Sequence, residues 1–240
     1  MKIKQKSGRK DERSGYARIF GNGPLGLLFS QVHAAVISSG TELERILVAK
    51  SPYSLPYRDL NISTSIIEGT DQPVLLLHKL TSIEQIEERR GAKLEQDDTK
   101  TKKYKGDFLI LYPRESKGTI IEVKDGDTFD TKKVAGEIAS LRILADYYSQ
   151  TLSMSISFAF SSFYAPTRSA ITKGSKNVFN ESQVLTGLEL CQKIGIDYDA
   201  VVKERKADAE PNLNFFLDEM LKMDDIRKMI EEKLSKRRSN

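Results

Sequence analysis

Two short apolar segments in the middle of the chain place the strongest constraint on its fold. Residues 107–112 (Asp-Phe-Leu-Ile-Leu-Tyr) and 119–123 (Thr-Ile-Ile-Glu-Val) are rich in β-branched, aromatic and other apolar side chains. The connector between them begins with Pro113 and ends with Gly118, both residues that favour turns. The pattern predicts a β-hairpin whose loop is longer than two residues.

Segments with helical periodicity flank this hairpin. Apolar residues recur at helical spacing over 24–36, and a second helical run follows an interruption at Ser39-Gly40-Thr41. Residues 131–149 predict an amphipathic helix, and the alternation over 152–160 predicts a third strand. Together these elements predict an α/β fold with a small mixed β-sheet flanked by helices, plus a helical C-terminal part. Further helices are predicted at 82–91, 182–193, 197–206, 211–222 and 224–237.

A length of 240 residues suits one packed core, so a single domain is expected. Within it we expect a basic arm over 1–23, a core over 24–180 and a helical region over 181–240. Segments 51–73 and 96–105 are polar or proline-rich and are predicted to be loops, with a short strand possible at 74–77.

Composition excludes several classes of protein. Hydrophobic residues make up 39% and charged residues 30%, which is typical of a globular chain, and no apolar run is long enough for a transmembrane helix. The N-terminus is basic without an apolar run, unlike a secretory signal. A lone Cys191 excludes an internal disulfide, and two histidines, His33 and His78, are too few for a zinc-type cluster. A cytoplasmic protein is expected, with oxygen ligands for any metal.

Basic residues are unevenly distributed, although the net charge is only +4. Residues 1–20 hold seven Lys or Arg against two acids, and the last fifteen residues hold six against two. Segment 165–180 follows the third predicted strand, is expected to be a loop, and holds Arg168, Lys173 and Lys176 with no acid. Such clusters suit a polyanionic partner, because each neutralised phosphate releases counterions. Solvated tails are the alternative reading for the two termini.

The hairpin carries the residues from which a site can be built. Asp107 opens the first predicted strand, while Glu122 and Lys124 close the second and share one of its faces, with Val123 pointing the other way. Antiparallel pairing across the connector brings Asp107 close to Glu122. Two carboxylates beside an ammonium form a hard-oxygen site that suits Mg²⁺. The alternative is an exposed strand end with an ordinary Glu–Lys pair.

The spacing of these residues resembles the PD-(D/E)xK nuclease superfamily, the fold of most type II restriction endonucleases. Asp107 is followed by fourteen residues and then by Glu122-Val123-Lys124, and the resemblance continues through 125–133 to Glu137. It implies a restriction-endonuclease-like core over about 105–160. One departure is that Gly106, not proline, precedes Asp107.

The resemblance also implies roles for these residues. Asp107, Glu122 and the carbonyl of Val123 are expected to hold Mg²⁺, and Lys124 to orient the attacking water and stabilise the transition state. An upstream helical glutamate, Glu42 or Glu44, fits the same plan, and Glu44 is taken as the fourth catalytic residue. Its alternative role is helix capping.

Double-stranded DNA is the expected partner, cut by a homodimer, since two-fold symmetry suits cleavage of both strands. Arg168 is expected to contact a base, and Lys173 and Lys176 to contact phosphates. Lys132 and Lys133 of the next helix are further candidate DNA-binding residues. Two alternatives remain: a repair or recombination nuclease that reads DNA structure, and a non-catalytic DNA-binding protein with the same fold.

Overall fold

A computed structural model describes residues 2–8, 15–55, 71–86, 100–126 and 131–238. In these residues the chain forms a five-stranded sheet whose strands lie in chain order. Neighbours β1 to β3 run antiparallel, and β3 to β5 run parallel. The predicted α/β fold with a small mixed sheet is therefore confirmed. The strands are β1 (Leu75–Ile86), β2 (Lys100–Tyr112), β3 (Lys117–Lys124), β4 (Ser155–Ser162) and β5 (Val184–Thr186).

The predicted hairpin is formed by β2 and β3. Pro113–Glu115 makes one turn of 3-10 helix, and Ser116 follows in the left-handed region with φ 49°. Leu111 pairs with Gly118 and Leu109 with Ile120, and neither Leu109 nor Ile120 is exposed to solvent. Burial of these side chains fixes the register, because a slip by one residue would turn the apolar set outward.

Helices occupy most of the remaining described chain. They are α1 (Gly15–Phe20), α2 (Gly23–Lys50), α3 (Thr131–Leu152), α4 (Arg168–Gly174), α5 (Gly187–Lys193), α6 (Tyr198–Lys206), α7 (Ala209–Leu221) and α8 (Asp224–Arg238). α3 is the predicted amphipathic helix, and its buried residues Val134, Leu141 and Leu144 pack in the same core as Leu109 and Ile120. Among the described helices, none combines the length and apolar content needed to cross a membrane.

Contacts divide the chain into two compact units. One comprises Met1–Leu43 and Asp199–Asn240, and includes a bond from the Ile3 amide to the Asn212 side chain. The other, Glu44–Tyr198, contains the whole sheet with α3, α4 and α5.

The prediction of a helix over 82–91 was wrong for its described part. Residues up to Ile86 continue β1, which pairs with β2 as far as Ile86 opposite Lys100. The predicted loop over 96–105 was likewise wrong from Lys100 onward, where β2 begins. Both segments are strands because they pair with each other, although their local propensities differ from this. Such pairing cannot be recognised from either segment alone. Residues 87–99 lie outside the described residues.

The predicted interruption at 39–41 was also wrong, because α2 runs unbroken from Gly23 to Lys50. The Ser38 hydroxyl donates a hydrogen bond to the Ala34 carbonyl within the helix. The carbonyl and hydroxyl oxygens of Ser39 accept hydrogen bonds from the Arg205 guanidinium. Residues 39–41 therefore lie inside one helix, and no new helix begins there. The helix cost of Gly40, about 1 kcal/mol, is offset by burial of residues such as Leu43.

Three further segments differ from the predictions. The segment 165–180 contains α4 where a loop was expected, and 182–193 contains strand β5 before helix α5. The helix α3 extends to Leu152, so β4 starts at Ser155 and not at 152. Leu152 is buried and Ser153 takes φ 51°, which ends the helix there.

Candidate active site

The site begins where the pairing of β2 with β3 ends. Phe108 opposite Ile121 is the last backbone pair, and the next residue, Asp107, uses its side chain instead. Its Oδ2 accepts a hydrogen bond of 2.7 Å from the amide of Val123. The predicted proximity of Asp107 to the Glu122-Val123-Lys124 segment is thus present in the structure, although Asp107 lies inside β2 and does not open it.

Glu122 and Lys124 lie half-buried on one face of β3, while Val123 is buried on the other. The Lys124 ammonium donates to Glu122 Oε1 at 2.6 Å and to Glu137 Oε1 of α3 at 3.2 Å. It also lies 5.6 Å from the centre of the Phe160 ring, within range of a cation–π interaction. The ammonium is therefore held between two carboxylates and a ring.

The surroundings of Asp107 disfavour the ionised form of its carboxyl group. Burial, followed by the repulsion of Glu122, raises the pKa of Asp107 to about 8, and Glu44 adds a smaller repulsion. The Val123 amide acts in the opposite direction. Because Glu44 influences Asp107, the structure brings this residue of α2 into the neighbourhood of the pair.

Lys124 stays charged in this setting. Burial alone would lower the pKa of its ammonium, but Glu122 and then Glu137 outweigh that effect and leave the pKa above its usual value. A permanently cationic group therefore stands beside the two acids.

The donor set fits a hard divalent cation. The described residues include no cluster of three His, Cys, Asp or Glu side chains able to hold a metal. They do include two acids that repel each other, and Val123 supplies a neutral carbonyl oxygen next to Glu122. A cation between the two carboxylates would remove the repulsion that raises the pKa of Asp107, and oxygen donors are those that Mg²⁺ prefers.

Arg168 takes part in an intramolecular pair. Its Nε donates to Glu189 Oε1 at 2.8 Å, and its guanidinium also donates to the Glu181 carbonyl at 3.1 Å. Partial burial would raise the pKa of Glu189, but bonds from Thr186 and Arg168 hold it below its usual range. This contact ties the start of α4 to the start of α5.

Arg168 also lines an open cavity of about 370 Å³ together with Thr119, Ser157 and Lys193. Thr119 precedes Glu122 by three residues on β3, so their side chains point to opposite faces of the sheet. The structure therefore does not bring Arg168 together with the group formed by Asp107, Glu122 and Lys124.

The other candidate DNA-binding residues have different surroundings. Lys173 in α4 and Lys176 just after it are exposed, and Lys176 has φ 54°. Lys132 and Lys133 belong to the first turn of α3, and their side chains lie outside the described part of the structure.

Two neighbours of Lys124, Glu137 and Phe160, were not predicted from the sequence. Glu137 entered only as part of the resemblance and had no assigned role. Its position six residues into a predicted amphipathic helix would have allowed a contact, but the sequence does not show which strand the helix crosses. Phe160 was predicted on a strand, and the register of β4 against β3, with Glu122 opposite Phe160, explains its place.

Comparison with known proteins supplies the family. The chain matches no protein-family model and no solved structure. It is 34% identical to type II restriction enzyme HhaII of Haemophilus parahaemolyticus over 239 residues. That similarity covers 96% of this chain and 98% of the relative, so the two proteins are related over nearly their whole lengths. The chain therefore belongs to the type II restriction enzymes and is a site-specific deoxyribonuclease.

Proposed function

We propose that this chain is a Mg²⁺-dependent endonuclease that hydrolyses phosphodiester bonds in double-stranded DNA at a short specific site. One observation carries the proposal. Asp107, Glu122 and Lys124 lie together at the end of a buried hairpin, in a chain related over nearly its whole length to a type II restriction enzyme.

Asp107, Glu122 and the Val123 carbonyl are the residues that would hold the metal. When bound, Mg²⁺ supplies positive charge that polarises the scissile phosphate and lowers the pKa of a water. The Val123 amide bond to Asp107 restrains that carboxylate in position. Glu44 adds negative charge nearby, which favours a cation at this place.

Lys124 supplies a second positive charge at the scissile phosphate, in addition to that of the metal. Phosphoryl transfer places extra negative charge on the phosphate oxygens, and an ammonium aimed at that position stabilises it. The same group donates hydrogen bonds, so it can orient a water for in-line attack. Cleavage by this route leaves a 5′-phosphate and a 3′-hydroxyl.

We propose that the enzyme cuts double-stranded DNA as a homodimer. One site of this kind cuts one strand, and a two-fold pair of chains presents two such sites to a symmetric duplex sequence. Lys173 and Lys176 are proposed to contact phosphates, since both are exposed cations. Lys132 and Lys133 are proposed for the same role.

Sequencing of cleaved ends tests this function. Purified protein is incubated with Mg²⁺ and a long DNA of mixed sequence, and the Asp107→Asn variant is the matched control. The proposal expects ends that share one short sequence and carry 5′-phosphates, and none above background with the variant. Ends at unrelated sequences, with a preference for branched DNA, would instead indicate a structure-specific nuclease. Tight DNA binding without any cleavage would indicate a non-catalytic protein.

A further inference from the structure

Lys124 is bonded to two carboxylates that come from different elements of the fold. Glu122 lies two residues away on the same strand, so its contact follows from the strand's own geometry. Glu137 lies on α3, thirteen positions later in the chain, and reaches the same ammonium at 3.2 Å. Of the two carboxylates, only Glu137 fixes the ammonium relative to a second element.

The position of Glu137 on α3 is well anchored. Val134 and Leu141 lie three residues before and four residues after it, which places all three on one side of the helix. Val134 is 2% exposed and Leu141 1% exposed, and both belong to the core beneath the sheet. The backbone that carries Glu137 therefore has little freedom to move away from β3.

Glu122 has two roles under the proposed function, on which this inference rests: it holds the metal and it binds the Lys124 ammonium. Its carboxylate is a metal-holding group, and its Oε1 is also the nearer partner of Lys124. Glu137 can keep its hydrogen bond to the Lys124 ammonium when the Glu122 carboxylate turns towards the metal. A lysine side chain has a flexible stem, so an aimed ammonium needs such restraint.

We propose that Glu137 is a positioning residue that holds the Lys124 ammonium at the reacting phosphate. It acts through Lys124 and does not itself hold metal or touch DNA. The Phe160 ring, 5.6 Å from the ammonium, provides the third side of this holder. Loss of the Glu137 charge leaves Lys124 present but poorly placed.

Glu137→Gln tests the proposal with little change of shape. Single-turnover cleavage should fall by about tenfold to a hundredfold, because a misplacement of about 1 Å costs roughly that much. Glu137→Asp keeps the charge on a shorter stem and should fall less. Asp146→Asn is the matched control, since it removes one exposed carboxylate from the same helix and should leave the rate unchanged.

Two further measurements separate positioning from other roles. In a Lys124→Ala background, Glu137→Gln should change the residual rate by about twofold or less, because residues that act as one unit are not additive. Binding of duplex DNA with Ca²⁺ in place of Mg²⁺ should keep the same affinity and the same Ca²⁺ midpoint.

The results distinguish failure of the proposed nuclease function from failure of the proposed role of Glu137. A wild-type protein that cuts no DNA overturns the proposed function. Active wild type with Glu137→Gln cutting at the same rate overturns only the role of Glu137. An equal loss in the Lys124→Ala background, or a raised Ca²⁺ midpoint as expected for a lost metal ligand, overturns it as well.

Discussion

Asp107→Asn should make the metal-free protein more stable at neutral pH while it abolishes cleavage. Burial and the charge of Glu122 raise the pKa of Asp107 from its ordinary 3.8 to about 8. The native chain thus holds a proton at pH 7 that the unfolded chain releases. Asparagine is neutral in both states, and its carbonyl oxygen can still accept the bond from the Val123 amide.

The sign and size follow from linkage. For an acid whose pKa is higher in the folded state, stability falls as pH rises between the unfolded and folded values, here from 3.8 to about 8. Each pH unit in that interval costs at most about 1.4 kcal/mol, or about 4 kcal/mol at pH 7. Asp107 is only half-buried, so solvent screening reduces this, and about 1 to 3 kcal/mol is expected.

The assay is urea unfolding in EDTA at pH 5 and pH 7.5. The gain of Asp107→Asn over wild type should be larger at pH 7.5 than at pH 5. Asp146→Asn, an exposed change on α3, should stay within about 0.5 kcal/mol of wild type at both. A gain that is independent of pH, or an Asp107→Asn variant that is less stable than wild type at pH 7.5, would show that the pKa of Asp107 is not raised in the folded protein.

Three further results are expected. Excess EDTA should stop cleavage, and Ca²⁺ should support binding without cutting; undiminished cleavage in EDTA, followed on a plasmid, would contradict the metal mechanism. Glu122→Ala should abolish cleavage, yet in EDTA it should bind DNA at least as tightly as wild type does in EDTA, because it removes a negative charge near phosphates; weaker binding in a gel-shift titration would contradict this. Arg168→Ala should cost about 1 to 3 kcal/mol of binding free energy on the specific duplex, because we propose that Arg168 exchanges its pair with Glu189 for a base contact. Unchanged discrimination between specific and scrambled duplexes, with a lower thermal stability, would contradict this proposal.

The proximity of Asp107 to Glu122 and Lys124 could be predicted because these residues are close in sequence. Asp107 and Glu122 belong to one hairpin, so the turn at 113–116 alone determines which residues meet. The face shared by Glu122 and Lys124 follows from strand alternation in the same way. Here local pattern and tertiary structure agree.

Elements that depend on distant partners could not be predicted. β1 continues to Ile86 because it pairs with β2, whose first residues are polar and carry no strand pattern of their own. β5 has only three residues and exists because Phe160 to Ser162 of β4 pair with it. The contact of Glu137 with Lys124 similarly depends on how α3 crosses the sheet, a property absent from the spacing of the two residues.

A comparison of Lys124→Ala with Lys117→Ala tests whether Lys124 stabilises the transition state of DNA cleavage. Both lysines lie on β3, but Lys117 begins the strand and pairs with Glu115, whereas Lys124 ends it beside Glu122. Single-turnover cleavage and Ca²⁺-supported binding are measured on the specific duplex. Lys124→Ala should cut DNA slower by several orders of magnitude with little change in affinity, while Lys117→Ala should match wild type. Cleavage by Lys124→Ala within about tenfold of wild type would contradict it, since removal of a group that stabilises the transition state costs about 100-fold or more.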